Sequence, residues 1–221
     1  MKLISCWFIA TFFASSLALL AETPGSSTNV VRQIDANTFQ VGAVRLELKE
    51  RRLIIPAMVN MVEGPIEYVL VSAIGKLHES IFKTTAEPVH IQTAALLLLK
   101  SPMTSNSPPQ LRVSVELDGA KTLAAENLID NTTPGVRLAP GLWRYNGSRL
   151  VDGTFIAQRD GSIVSIIADP DALIETGRVA TDDDENWRPR KTGLPAIGSA
   201  VKVILSFEPR VNGSTAEQTK E

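Results

Sequence analysis

Apolar residues fall at every second position in several short stretches of this chain. Val44, Leu46 and Leu48 alternate with polar residues, and Lys49-Glu50-Arg51-Arg52 interrupts the pattern before Leu53-Ile54-Ile55. A period of two broken by a polar run predicts a strand, a turn and a second strand. Residues 66–71 and 77–82 predict two further strands joined through Ile74-Gly75-Lys76, and Val113, Val115 and Leu117 mark another at 112–117. Between 142 and 168 the chain is punctuated by Asn146-Gly147, Asp152-Gly153 and Asp160-Gly161. Such pairs favour the positive φ angles of tight hairpin turns, so this stretch predicts an antiparallel meander ending in the apolar run 162–167. Residues 201–207 predict a last strand.

Helical signals are fewer. Pro88 is suited to a first helical turn and precedes Ala94-Ala95-Leu96-Leu97-Leu98-Leu99, which predicts a helix over 88–100 packed deep against the sheet. Asp169-Pro170-Asp171 followed by Ala172-Leu173-Ile174 predicts a second, short helix capped by Asp169. The fold class expected is α+β: a mainly antiparallel β-sheet with a hairpin meander, one central apolar helix and one or two short helices.

The two ends are read from composition. Met1-Lys2 is a positive start, residues 3–20 are apolar and uncharged, and Ala21 precedes Glu22-Thr23-Pro24-Gly25. That is the anatomy of a secretory signal peptide. Cleavage after Ala21 is expected, or after Ala18, where Ser16-Leu17-Ala18 offers small residues. An uncleaved inner-membrane anchor is the alternative, because about 20 apolar residues span a bilayer. Residues 1–21 are thus expected as a leader, 22–37 as a flexible linker, 38–208 as a single globular domain, and 209–221 as a disordered tail. The location expected is periplasmic or secreted, in a bacterium.

Removing the leader removes Cys6, the only cysteine. No disulfide, iron–sulfur cluster or cysteine nucleophile is then possible in the mature chain, and no cofactor is evident. The full chain has 22 basic and 24 acidic residues, and losing Lys2 leaves 21 against 24. That balance lacks the concentrated basic surface of a nucleic-acid-binding protein, and nucleic acid is excluded as a partner.

Several segments together resemble the YdjY-type domain, a family of exported bacterial proteins of unsettled function. They are Pro56-Ala57-Met58-Val59-Asn60 with Glu67-Tyr68, Gly75-Lys76-Leu77-His78-Glu79-Ser80, and the helix ending in Leu99. They continue with Trp143-Arg144-Tyr145, with Asp152-Gly153-Thr154-Phe155-Ile156-Ala157 leading to Gly161-Ser162-Ile163, and with Asp169-Pro170-Asp171 leading on to Trp187. The likeness spans nearly the whole mature domain. Some members of that family carry a ferredoxin-like label, which implies cysteine ligands that the mature part of this chain lacks.

Few residues suggest chemistry. His78, Glu79 and His90 are candidate ligands for a divalent metal, since catalytic sites commonly use three protein ligands and keep one position open. Strand alternation works against that set, placing His78 and Ser80 on one face and Glu79 on the other. A His78–Ser80 nucleophile pair lacks any Gly-x-Ser-x-Gly elbow. The acidic run Asp182-Asp183-Asp184-Glu185 lacks the alternation and the glycine of a calcium loop. Trp143, Arg144 and Tyr145 are candidates for stacking on a sugar or peptide, although Trp and Tyr are more often core fillers. The function expected is a non-enzymatic cell-envelope module that binds a protein, a glycan or a small ligand, touching a membrane only through an uncleaved leader. The alternative is a metal-binding protein or metal-dependent enzyme built on His78, His90 and a nearby carboxylate.

Overall fold

A computed structural model describes residues 30–100, 108–117, 121–178 and 185–209. The expected leader, Cys6, Asp182-Asp183-Asp184 and all but the first residue of the expected tail lie outside the described residues. The first strands are β1 (Val31–Gln33), β2 (Thr38–Val41), β3 (Val44–Glu47) and β4 (Arg52–Val59). Then come β5 (Tyr68–Ser72), β6 (Ser80–Thr84), helix α1 (Pro88–Leu99), β7 (Gln110–Leu117), β8 (Lys121–Ala124) and β9 (Ile129–Asn131). The remainder is β10 (Trp143–Tyr145), β11 (Leu150–Val151), β12 (Thr154–Phe155), helix α2 (Ile156–Asp160), β13 (Ser162–Ser165), β14 (Ile174–Glu175), β15 (Trp187–Pro189) and β16 (Ala200–Phe207).

Eight of these strands close on themselves. Around the ring the order is β4-β16-β7-β10-β14-β13-β5-β6, and β6 pairs back onto β4. The result is a closed β-barrel with β1–β3 and β8 attached outside it. Its wide wall is set by alternation: Val201, Val203, Leu205 and Phe207 of β16 point inward and stand opposite Leu117, Val115, Val113 and Leu111 of β7. On the other side the first three stand opposite Ala57, Ile55 and Leu53 of β4, so three adjacent strands bury one continuous apolar ladder.

Closure depends on β4 changing partners. One edge of β4 pairs with β16 along its length, whereas the other pairs with β3 at Arg52–Ile54 and with β6 at Met58 and Val59. Pro56 falls between those two contacts. Its carbonyl accepts the Thr84 hydroxyl at 2.6 Å, so its missing N–H faces the gap where no ladder bond is required.

The barrel overturns the expected meander. β5 pairs with β6 in parallel, as do β13 and β14, and a tight hairpin cannot join parallel neighbours. Only Asp152-Gly153 forms a hairpin turn, with φ of 50° and 77° between β11 and β12. Gly147 lies two residues beyond the end of β10, and Gly161 is the left-handed cap of α2. The predicted helix at 169–174 is a turn held by the Asp171 N–H donating to Asp169 Oδ1 (2.9 Å), followed by β14. Within 77–82, Leu77–Glu79 is a 3-10 turn and the strand begins at Ser80. Nor is α1 central. It lies on the β2–β3–β4 flank with Ile91, Ala94, Ala95 and Leu98 buried and Leu96 and Leu97 facing out. The sheet starts at Val31, inside the segment read as linker, because β1 pairs with β2. No helix among the described residues is long and apolar enough to cross a membrane.

Candidate functional site

The candidate metal ligands do not converge. His78 is largely exposed in the 3-10 turn, with Nε2 3.0 Å from Glu79 Oε1. His90 lies in the first turns of α1 over the β2–β3 turn, so close that a Cβ on Gly42 would come within 2.1 Å of His90 Nδ1. Among the described residues no three His, Cys, Asp or Glu side chains are grouped to hold a metal ion.

The aromatic candidates are core. Trp143 is fully buried, its indole N–H donating to Glu126 Oε1 at 3.0 Å and its ring 5.1 Å from the Arg178 guanidinium. Arg144 points out and pairs with Glu175. Tyr145 is buried edge-on against Phe207, with ring centroids 5.6 Å apart, and its hydroxyl has no hydrogen-bond partner. Burial alone holds that phenol far above its ordinary range. An unpartnered buried hydroxyl destabilises the fold. Tyr145→Phe is therefore expected to be neutral or to stabilise by about 1 kcal/mol in chemical denaturation; a loss of that size would show that the hydroxyl is bonded.

A different set of residues converges where β5 and β6 start. Parallel pairing sets Tyr68 opposite Ser80, which places the preceding residues, Glu67 and Glu79, side by side. The Glu67 N–H donates to the Glu79 carbonyl at 2.9 Å, and the Ile166 N–H donates to the Glu67 carbonyl at 2.7 Å. Asn60 Nδ2 holds the 3-10 turn through the Leu77 and Ser80 carbonyls, and the Ser80 hydroxyl donates to the Lys76 carbonyl. The turn is seated by glycines: Cβ atoms added to Gly75 or Gly161 would come within 2.9 Å and 2.6 Å of each other's backbone.

Charge is concentrated at this point. Lys76 Nζ lies 3.1 Å from Glu67 Oε2, 3.9 Å from Glu79 Oε2 and 5.1 Å from the Tyr68 ring centre. The Tyr68 hydroxyl donates to Asp169 Oδ2 at 2.8 Å. Burial, with the Asp169 carboxylate adding to it, pushes the Tyr68 phenol up to about 12. Burial opposes the charge of Lys76, but its contacts with Tyr68 and Glu67 outweigh that and raise its affinity for the proton. Glu67 is held above the ordinary glutamate value of 4.5, by burial first and then by the neighbouring Glu79 carboxyl, against the pull of Lys76. Two carboxyls that share a site do not both ionise easily.

A cavity of about 470 Å³ opens beside this pair, lined by Pro65, Glu67, Glu79, Glu185, Asn186 and Arg188. Strand β15 forms its far wall and is tied on by the Ile66 N–H donating to the Trp187 carbonyl at 3.0 Å. Glu79 Oε2 is buried and accepts no N–H or O–H from the described residues; Lys76 stands beyond hydrogen-bond distance. The site can therefore take a donor-bearing group or hold a proton between its two carboxyls. Of the candidates named from the sequence, His78 and Glu79 border this region, whereas His90, Trp143, Arg144 and Tyr145 do not. Comparison with protein families, curated proteins and solved structures found no match.

Proposed function

We propose that this chain is an exported, YdjY-like cell-envelope module that binds a small ligand presenting a protonated amine in the Glu67–Glu79 cavity. The observation that carries the reading is the buried Glu79 oxygen, which has no donor among the described residues, in a cavity lined by Glu67, Glu79, Glu185 and Arg188. An ammonium supplies up to three donors and a positive charge in one compact group. It satisfies that oxygen and relieves the repulsion that holds the Glu67 proton in place. Lys76 keeps the empty pair from carrying two uncompensated charges. The barrel contributes rigidity, since both acids sit on the backbone ladder that joins the starts of two strands.

The test is a titration of the full chain with glucosamine, followed by amide NMR shifts. Saturable shifts at residues around Glu67 and Glu79 are expected. They should weaken at least about tenfold in Glu79→Gln, the loss of one charge-assisted contact, and N-acetylglucosamine should give none. Equal binding of the amine and its acetylated form, or an unchanged response in Glu79→Gln, would contradict the reading.

A pH dependence follows from the same carboxyl. Glu67 holds its proton more tightly in the folded chain than in the unfolded one, so the folded state binds more protons above pH 4.5 and stability falls as pH rises through that window. Glu67→Gln is expected to flatten this slope and to gain on the wild type as pH rises above 4.5. Denaturation midpoints measured across that range check it; a variant whose profile runs parallel to the wild type would show that Glu67 titrates normally.

A further inference from the structure

A second cavity, of about 480 Å³, lies along the β9–β15 ribbon, and its chemistry is opposite in sign. Arg137, Arg188 and Lys191 line it, and none has a carboxylate partner among the described residues. Elsewhere on the surface, Arg45, Arg52, Arg112, Arg149 and Arg159 each have one. Asp130, the one acid among the described residues that line the cavity, is already taken by Arg190 at 3.1 Å. Arg188 is anchored through Nη1, which donates to the carbonyls of Trp187 (2.8 Å) and Glu185. Its remaining guanidinium donors take no protein acceptor among the described residues. The ribbon that carries Arg188 is held in register from Asn131 opposite Trp187 to Ile129 opposite Pro189; Thr133 borders the same space, and the Thr132 hydroxyl beside it donates to Asn186 Oδ1.

We infer that this cavity is a phosphate-binding site. Three like charges around one cavity repel each other, and the described residues supply no counter-charge beyond Asp130; a multivalent oxyanion does. Arg forks match the oxygen spacing of a phosphate, and Lys adds a point charge. The wall is more basic than a monovalent carboxylate needs, which favours phosphate over carboxylate. This inference stands on residues other than Glu67 and Glu79, and Arg188 is the only one that borders both cavities.

The experiment titrates the full chain with inorganic phosphate in one arm and with phosphatidic acid vesicles in another, since a free phosphate and a lipid headgroup share this chemistry. Saturable binding in either arm is expected, weakened at least about tenfold in Arg137→Ala/Lys191→Ala. Both side chains are exposed, so the variant keeps the fold. Binding to vesicles alone would assign the phosphate to a lipid; binding in solution would assign it to a free anion or small phosphorylated ligand. The inference is overturned if neither arm saturates, or if the exposed pair Lys49→Ala/Lys121→Ala weakens binding as much, because net charge would then explain the effect.

Discussion

Trp143→Ala is expected to lower the unfolding free energy by about 4 kcal/mol, the usual loss for emptying a large aromatic site in a core. The indole is fully buried in the central cluster, donates to Glu126, and carries the Arg178 guanidinium over its ring. Truncation opens a cavity where β10 pairs with β7, and it leaves Glu126 with Arg178 (2.8 Å) but without the indole donor. In thermal melts this corresponds to a fall of roughly 10 °C for a chain of this size. Trp143 was a stacking candidate in the sequence. A platform that meets a ligand would lose binding on truncation and keep most of its stability. A loss below about 1 kcal/mol would place the ring at the surface and refute the core assignment.

Gly161→Ala is the second large effect, expected at about 3 kcal/mol. Part of it is backbone strain, because φ is +71° and a side chain in that region costs about 1 kcal/mol or more. The rest is collision: the new Cβ would stand 2.5 Å from Ser72 Oγ and 2.6 Å from the Cα and N of Gly75, and packed backbone yields only at a cost of about 1–3 kcal/mol. Gly153→Ala separates the two contributions. Its φ is +77°, yet nothing lies within 4 Å of the added Cβ, so it should cost about 1 kcal/mol. Gly161→Ala should also weaken glucosamine binding, because Gly75 adjoins Lys76. Equal costs for the two glycines would mean that the β5–β6 crossover is loosely seated.

Much of the local structure was legible. The alternation in 44–55, 112–117 and 201–207 marked real strands, because each buries one face and exposes the other. The proline-led helix at 88–99 was also visible, since its first turn and its apolar run are local signals. Closure was not legible. It depends on β4 exchanging β3 for β6 past Pro56, and on parallel pairing across crossovers that carry no hairpin signature. Asn-Gly and Asp-Gly pairs report a positive φ, and a helix cap or a strand end needs that angle as much as a hairpin does. Thus Asp160-Gly161 became the cap on which the site turn rests.

The candidate site was hidden for the same reason. Glu67 and Glu79 each stand directly before a strand, but only parallel pairing brings them together; antiparallel pairing would have set them at opposite ends. Lys76 stands out in the sequence only as part of a connection and of a resemblance, and Tyr68 only as part of a predicted strand and of that resemblance, because nothing local shows that Lys76 reaches Glu67 or that Tyr68 meets Asp169. The histidines drew attention as rare residues, and rarity says nothing about convergence.

The most direct measurement is the titration of the Glu67 and Glu79 side-chain carboxyls by carbon NMR, with and without glucosamine. Glu67 should titrate above 4.5, and saturating amine should move its midpoint down, because a bound cation favours the ionised pair. An ordinary Glu67 midpoint, unmoved by the amine, would contradict a carboxyl pair that receives a cation.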